Sequence, residues 1–364
     1  MRRRTFLGGS ALTVFAMSNA VTSAADQSID GYHMPSEEGP HERTFMQWPV
    51  SRQVYYSNRQ LENVQKTIAD VANTISEFEP IVMLMDAQHQ KRARRLLSSD
   101  VEIWNVPTED LWCRDSGPVF VMNSQGDQAI SNLNFNGWGN KQVHKDDGQI
   151  ADRVGEILEI PVFNNGIVGE AGGIESNGAG TLIAHESSWI NPNRNRFGKQ
   201  EVATKLKQAL GAEQVIWAPG ISGLDITDYH IDALARFTDE TTILIQLPDR
   251  IFAGDPWSRA AFETRDILAK AEDLDGNRFS IVEIPEPTKP RNKHADFVAS
   301  YVNYYVCNGA VICAEFGDRE ADSIAINQLT RLFPDREIIA INADELGKLG
   351  GGIHCATQQQ PASV

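Results

Sequence analysis

The chain predicts an α/β fold of about five ββαβ modules closed into a ring, and three observations lead there. One order of elements recurs along the sequence: an apolar strand pair, an amphipathic helix, then a short apolar strand. A strand-length polar run follows the three glycines Gly350-Gly351-Gly352, and pairing it with the strand at 44–49 would join the two ends of the chain. No low-complexity linker divides the 364 residues, so the repeats read as one domain.

Ahead of that domain, Arg2-Arg3-Arg4-Thr5-Phe6-Leu7 precedes an apolar run from Ala11 to Met17 and small residues up to Ala24-Ala25. Arg3-Arg4-x-Phe6-Leu7 fits a twin-arginine export signal with cleavage near Asp26. Residues 1–25 are therefore expected to be a leader and 26–364 the single catalytic domain, exported to the periplasm. The apolar run is too short and too glycine-broken to span a bilayer, so no membrane association is expected after cleavage.

The first module combines a strand at 44–49, a helix over 61–78 and a strand at 81–85. Leu61, Val64, Ile68, Val71, Ala72 and Ile75 recur at helical spacing and form its buried face. A polar helix near 90–97 and a strand at 101–106 follow. Four further strand pairs fall near 119–136, 174–185, 231–247 and 301–316. Helical patterns come after them at 150–158, 201–210, 260–271 and 321–332, and short strands at 161–163, 215–217, 281–284 and 338–341.

Composition narrows the function classes. At 41% hydrophobic and 23% charged, the chain can bury a sizeable core. Without the leader it keeps 30 basic against 49 acidic residues, a field that argues against nucleic acid and favours a small cation. The four cysteines show no CxxC spacing, which argues against a zinc site. Cys307 and Cys313 flank Asn308-Gly309, a hairpin turn that sets Cys307 opposite Ala310 and Cys313 opposite Tyr304. That register keeps the two sulfurs apart and predicts no disulfide between them.

The reactive side chains fall at equivalent places in the repeat. Asp115 and Glu170 precede the first two of these strand pairs, His230-Ile231-Asp232 opens the third, and Cys355 lies in the closing module. In a ring these positions converge on one axis. One residue separates His230 from Asp232, which on a strand points both to one face. Three glycines before Cys355 suit a nucleophile loop that a substrate approaches closely.

Several segments together carry a resemblance. They are Met34-Pro35-x-Glu37, Trp48-Pro49, Trp112-x-Arg114-Asp115-x-Gly117-Pro118, Asn191-Pro192-Asn193-Arg194-Asn195, His230-Ile231-Asp232, Ser300-Tyr301-Val302-Asn303 and Gly350-Gly351-Gly352-Ile353-His354-Cys355-x-Thr357-Gln358-Gln359-x-Pro361. Through nearly the whole mature chain this set resembles the agmatine deiminases and the wider Porphyromonas-type peptidylarginine deiminase family. The resemblance implies a pentein α/β propeller of five pseudo-symmetric ββαβ units. It also implies hydrolysis of agmatine to N-carbamoylputrescine and ammonia, with no cofactor.

By that resemblance Cys355 is the nucleophile, His230 the acid and base, Glu170 its partner, and Asp115 and Asp232 the receptors of the guanidinium, with Trp112 lining the pocket. Paired carboxylates suit a planar, permanently cationic, donor-rich group. For the distal amine of agmatine the nearby acids are Glu37, Asp225 and Asp228. His354 is read as structural, because neighbours on an extended loop point to opposite sides.

Two departures concern pocket shape: Ala171 after Glu170, and Tyr229 before His230 where glycine is frequent. Rival readings are a deiminase of free or peptidyl arginine, an amidinotransferase with an amine acceptor, and a non-catalytic exported guanidine-binding protein. A homo-oligomer is left open.

Overall fold

The computed structural model describes residues 29–294 and 296–363. The export leader expected at 1–25 lies outside the described residues.

Five small sheets carry the repeat. Four of them join Val119–Asn123, Gln128–Asn132 and Val162–Asn164; Ile174–Ser176, Thr181–His185 and Gln214–Ala218; Ala235–Phe237, Thr242–Leu247 and Ser280–Pro285; and Tyr305–Cys307, Ala310–Ala314 and Glu337–Ile341. In each an antiparallel pair is followed by a parallel strand. The parallel step requires a crossover, supplied by helices Ile150–Leu158, Lys199–Leu210, Pro256–Leu268 and Arg319–Leu332. A short strand, Tyr32–His33, extends the first sheet.

The fifth sheet uses both ends of the chain. Thr357–Pro361 pairs antiparallel with His41–Gln47, which continues in parallel to Ile81–Met85 and Val101–Asn105. Thr357 lies opposite Met46, and the Ala362 N–H donates to the Pro40 carbonyl at 2.8 Å.

Local chemistry sets the element ends. Ser57 caps helix Asn58–Ile75 by accepting from the Gln60 N–H at 3.1 Å, and the predicted face from Leu61 to Ile75 is buried. Each such aliphatic side chain contributes about 1.5–3 kcal/mol on burial. Ile81–Met85, covered on both faces, is buried throughout and accordingly has no polar alternation. The Asn308-Gly309 turn has Gly309 at φ +80° and places Cys307 opposite Ala310, as the spacing predicts; all four cysteines are free.

One expectation fails in a useful way. His230-Ile231-Asp232 is not strand: Ile231–Ala233 forms a 3-10 turn, and the strand begins only at Ala235. Similar tight turns, Cys113–Ser116, Ala171–Gly173 and His354–Ala356, stand before the strands at 119, 174 and 357. The turn at 113–116 packs on those at 171–173 and 354–356, and 171–173 packs on 231–233. Site residues thus ride on short turns feeding the sheets. Their convergence follows from the repeat, although the strand argument for it does not hold.

Candidate active site

Cys355 sits half-buried at the 3-10 turn, and three polar atoms define its surroundings. Asn303 Nδ2 lies 3.2 Å from Sγ, Asn303 Oδ1 3.4 Å and Asp232 Oδ2 3.4 Å. The Cys355 N–H also donates to Asn303 Oδ1 at 3.3 Å. Burial, with Asp232 and Asp115 nearby, pushes the thiol well above its usual pKa. Without a cation in the site the sulfur is therefore a neutral thiol.

Asp232 is fully buried, and its Oδ1 has no hydrogen-bond partner. A buried carboxylate oxygen left unpaired is costly unless a donor arrives with the substrate. Burial favours the neutral acid, but His354, His230 and Arg236 outweigh it and keep Asp232 ionised. Across the site, Asp115 accepts from Trp138 Nε1 at 2.8 Å and from the Gly172 N–H at 3.3 Å. Its pKa is pushed up to about 6: burial leads, with Glu170 and Asp232 adding to it and His230 and Trp138 opposing.

His230 links Asp115 to Glu170, with Nδ1 3.6 Å from Asp115 Oδ1 and Nε2 3.2 Å from Glu170 Oε2. Burial disfavours the imidazolium, yet the Asp115, Glu170 and Asp232 charges prevail and raise its pKa to about 9. The resting ring is protonated. Glu170 stays ionised against burial because His230 and Arg194 face it, the arginine Nε standing 2.8 and 2.9 Å from its two oxygens.

Small residues make room for these groups. A Cβ on Gly172 would fall 2.7 Å from both Asp115 Oδ1 and His230 Nδ1. On Gly351 it would meet Trp112 Cζ3 at 2.5 Å and Cys355 Sγ at 3.4 Å, and on Gly352 Asn303 Oδ1 at 2.4 Å. Only Gly350 of the three has positive φ, so close approach explains the other two better than backbone freedom does. Tyr229 holds a left-handed φ of +73° beside His230 and stacks on His185 at 4.5 Å, while Ala171 is buried at the start of its turn.

The structure brings Cys355, His230, Glu170, Asp115, Asp232 and Trp112 together. It does not place Glu37, Asp225 or Asp228 as receptors for a distal amine, because each is already committed. Glu37 is buried in ion pairs with Arg114, Arg236 and His354. Asp225 accepts from the Thr227 and Tyr229 backbone N–H groups. Asp228 pairs with Lys141 at 2.7 Å and Arg194 at 2.8 Å, holding the arginine that holds Glu170.

Asn303 and Arg194 lie in two of the resembling segments, yet their spacing alone points to no role. Counting modules would have found Asn303, which stands just before Tyr305–Cys307 where the other modules carry their reactive residue. Arg194 gives no such signal. Among the described residues no group of three or more His, Cys, Asp or Glu side chains is arranged to hold a metal, and no helix is long and apolar enough to cross a membrane.

Known proteins share this architecture. The Porphyromonas-type peptidyl-arginine deiminase family matches residues 33–361. Agmatine deiminase of Medicago truncatula is 31% identical, covering 92% of this chain and 98% of that protein. The agmatine deiminase structure from Enterococcus faecalis superposes with a TM-score of 0.86 at 27% identity, covering 93% of this chain and 99% of that one. A substrate-bound cysteine-to-serine agmatine deiminase of C. jejuni gives 0.80 at 26% identity, covering 92% and 97%. The fold is the pentein α/β fold of these enzymes. With the match running from the first short strand to the closing one, the chain belongs to the Porphyromonas-type peptidyl-arginine deiminase family.

Proposed function

We propose that this protein hydrolyses agmatine to N-carbamoylputrescine and ammonia through a covalent intermediate on Cys355. The observation that carries the reading is the buried, unpartnered Oδ1 of Asp232, a carboxylate whose Oδ2 lies 3.4 Å from the thiol, in a site that also contains a second carboxylate and a protonated histidine. Such a site has acceptors for a guanidinium and a proton for its leaving nitrogen.

Asp115 and Asp232 receive the guanidinium, whose positive charge offsets the two carboxylates that suppress ionisation of Cys355. Cys355 then gives up its proton to water, and the thiolate attacks the central carbon and forms the S–C bond. Collapse of the tetrahedral adduct breaks a C–N bond, and ammonia departs with the proton of His230. Now neutral, His230 takes a proton from water as the water oxygen attacks the same carbon. The S–C bond breaks as the second adduct collapses, its remaining hydroxyl proton passes to water, the thiolate is regenerated and the ureido product leaves. Glu170, kept ionised by Arg194, stabilises the charged form of His230 throughout.

The agmatine deiminases that match over nearly the full chain support the choice of substrate. Incubation with agmatine, free arginine and arginyl peptides, with ureido product and ammonia assayed, tests it. Arginine turned over with kcat/KM equal to or above that of agmatine overturns the substrate and leaves the deiminase reaction standing. Cys355→Ser is expected to abolish turnover while substrate still binds; substantial residual activity sinks the covalent route.

We further propose that Arg3-Arg4-x-Phe6-Leu7 directs twin-arginine export. Replacing both arginines by lysine should retain the protein in the cytoplasm; unchanged fractionation overturns that reading.

A further inference from the structure

The far side of Asp232 carries a contact chain that the reaction above leaves unused. His354 Nδ1 lies 2.8 Å from Asp232 Oδ2, and its Nε2 lies 2.9 Å from Glu37 Oε2. An ionised carboxylate has no proton to give. Glu37 is fixed in that form by Arg114 Nη2 at 2.9 Å, Arg236 Nη2 at 3.0 Å and the Val306 N–H at 2.9 Å. Burial alone would favour its acid, but Arg236, His354 and Arg114 hold it well below the usual carboxylate range. The hydrogen in the Nε2 contact therefore belongs to His354. At 2.8 Å the Nδ1 contact is too close for two lone pairs to face each other, so it holds a proton as well.

We propose that His354 is a positioning residue that keeps this second proton between Asp232 and Glu37, and that the proton allows Cys355 to ionise beside Asp232. The inference rests on Cys355 being the nucleophile. Asp232 Oδ2 is the oxygen that also lies 3.4 Å from Sγ. A thiolate there meets a full negative charge unless that oxygen is already engaged by a proton from behind. Engaging Oδ2 also leaves Oδ1 as the acceptor for the substrate.

The remaining groups fit this assignment. Asp115 and Asp232 are the carboxylates that raise the thiol pKa, while Asn303 favours the thiolate. Around His354 stand Asp232, Glu37, Arg114 and Arg236, with Glu175 3.0 Å from the last arginine and Glu38 near it. Burial and the two guanidiniums lower the pKa of His354, whereas the carboxylates oppose them. The second proton is thus held by the two short carboxylate contacts against burial and the arginines.

Alkylation of Cys355 by iodoacetamide, followed against pH by mass spectrometry, reads thiol ionisation without turnover. His354→Gln keeps a donor toward Glu37 and loses the one toward Asp232. Its alkylation midpoint should rise by about one pH unit, which is ~10-fold slower alkylation on the acid side. His354→Asn, with an amide at the Nδ1 position, should recover most of that loss. A folded His354→Gln with an unchanged midpoint overturns the proposal, as do equal midpoints in the two variants. Neutron diffraction from wild-type crystals near neutral pH tests it without mutation: hydrogen in both His354 contacts supports it, and none between Nδ1 and Oδ2 overturns it. Full turnover by Cys355→Ser sinks the nucleophile assignment alone, and the alkylation midpoints still decide the role of His354.

Discussion

His230 and His354 occupy matching frames: each turns Nδ1 toward an aspartate and Nε2 toward a glutamate that arginine holds. The contacts differ. Around His230 they measure 3.6 and 3.2 Å, and one arginine, Arg194, backs the glutamate. Around His354 they measure 2.8 and 2.9 Å, and two arginines back it. Carboxylate charge outweighs burial at His230 and raises its pKa to about 9, whereas burial and two guanidiniums lower that of His354. The same residue types therefore make a proton donor on one side of the substrate and a fixed support on the other. What separates them is the number of guanidiniums and the slack in the contacts.

Three experiments press on that contrast, beginning with the largest effect. His230→Asn should lower kcat by about 10²–10⁴-fold, the usual range for losing a general acid–base group, while Cys355 still alkylates. A loss of similar size in His354→Asn would erase the distinction. Asp115→Asn and Asp232→Asn should each reduce kcat/KM by about 30-fold, equivalent to ~2 kcal/mol of charge-assisted contact. An unchanged value for either takes that residue out of the guanidinium site.

The smallest effect at neutral pH is expected from Glu170→Gln, and its signature is a pH profile. The folded pKa of His230 lies above its unfolded value, so its stabilising contribution is full below about 6.5 and lost as pH rises through about 9. Activity that needs the protonated ring should fall over the same upper range. Removing the Glu170 charge should bring this alkaline limb downward and cut the thermal stability advantage of acidic over alkaline pH. A limb that stays in place assigns it to another group.

Legibility followed the range of the interactions. Helix Ile150–Leu158, strand Ile81–Met85 and the Asn308-Gly309 hairpin depend on neighbours in sequence, and periodicity or turn chemistry located them. Closure by Thr357–Pro361 was legible because the repeat left one strand without a partner. The turn carrying His230 and Asp232 was not, since a His-x-Asp spacing does not distinguish strand from 3-10 turn. Glu37 misled for a different reason: its partners Arg114, Arg236 and His354 are far away in sequence, and spacing cannot show that a carboxylate is already taken.

The pairing of Thr357–Pro361 with His41–Gln47 also sets an order of events during synthesis. Cys355 is translated after every other residue of the site, and its flanking strand must find a partner made long before it. A nascent chain that has not yet reached Cys355 has no nucleophile to present to the modules already made. Catalytic competence therefore arrives only once Cys355 and Thr357–Pro361 have been made and the strand has found its partner. A chain truncated before Cys355 loses both the nucleophile and the strand that completes the fifth sheet, and so is unable to turn anything over.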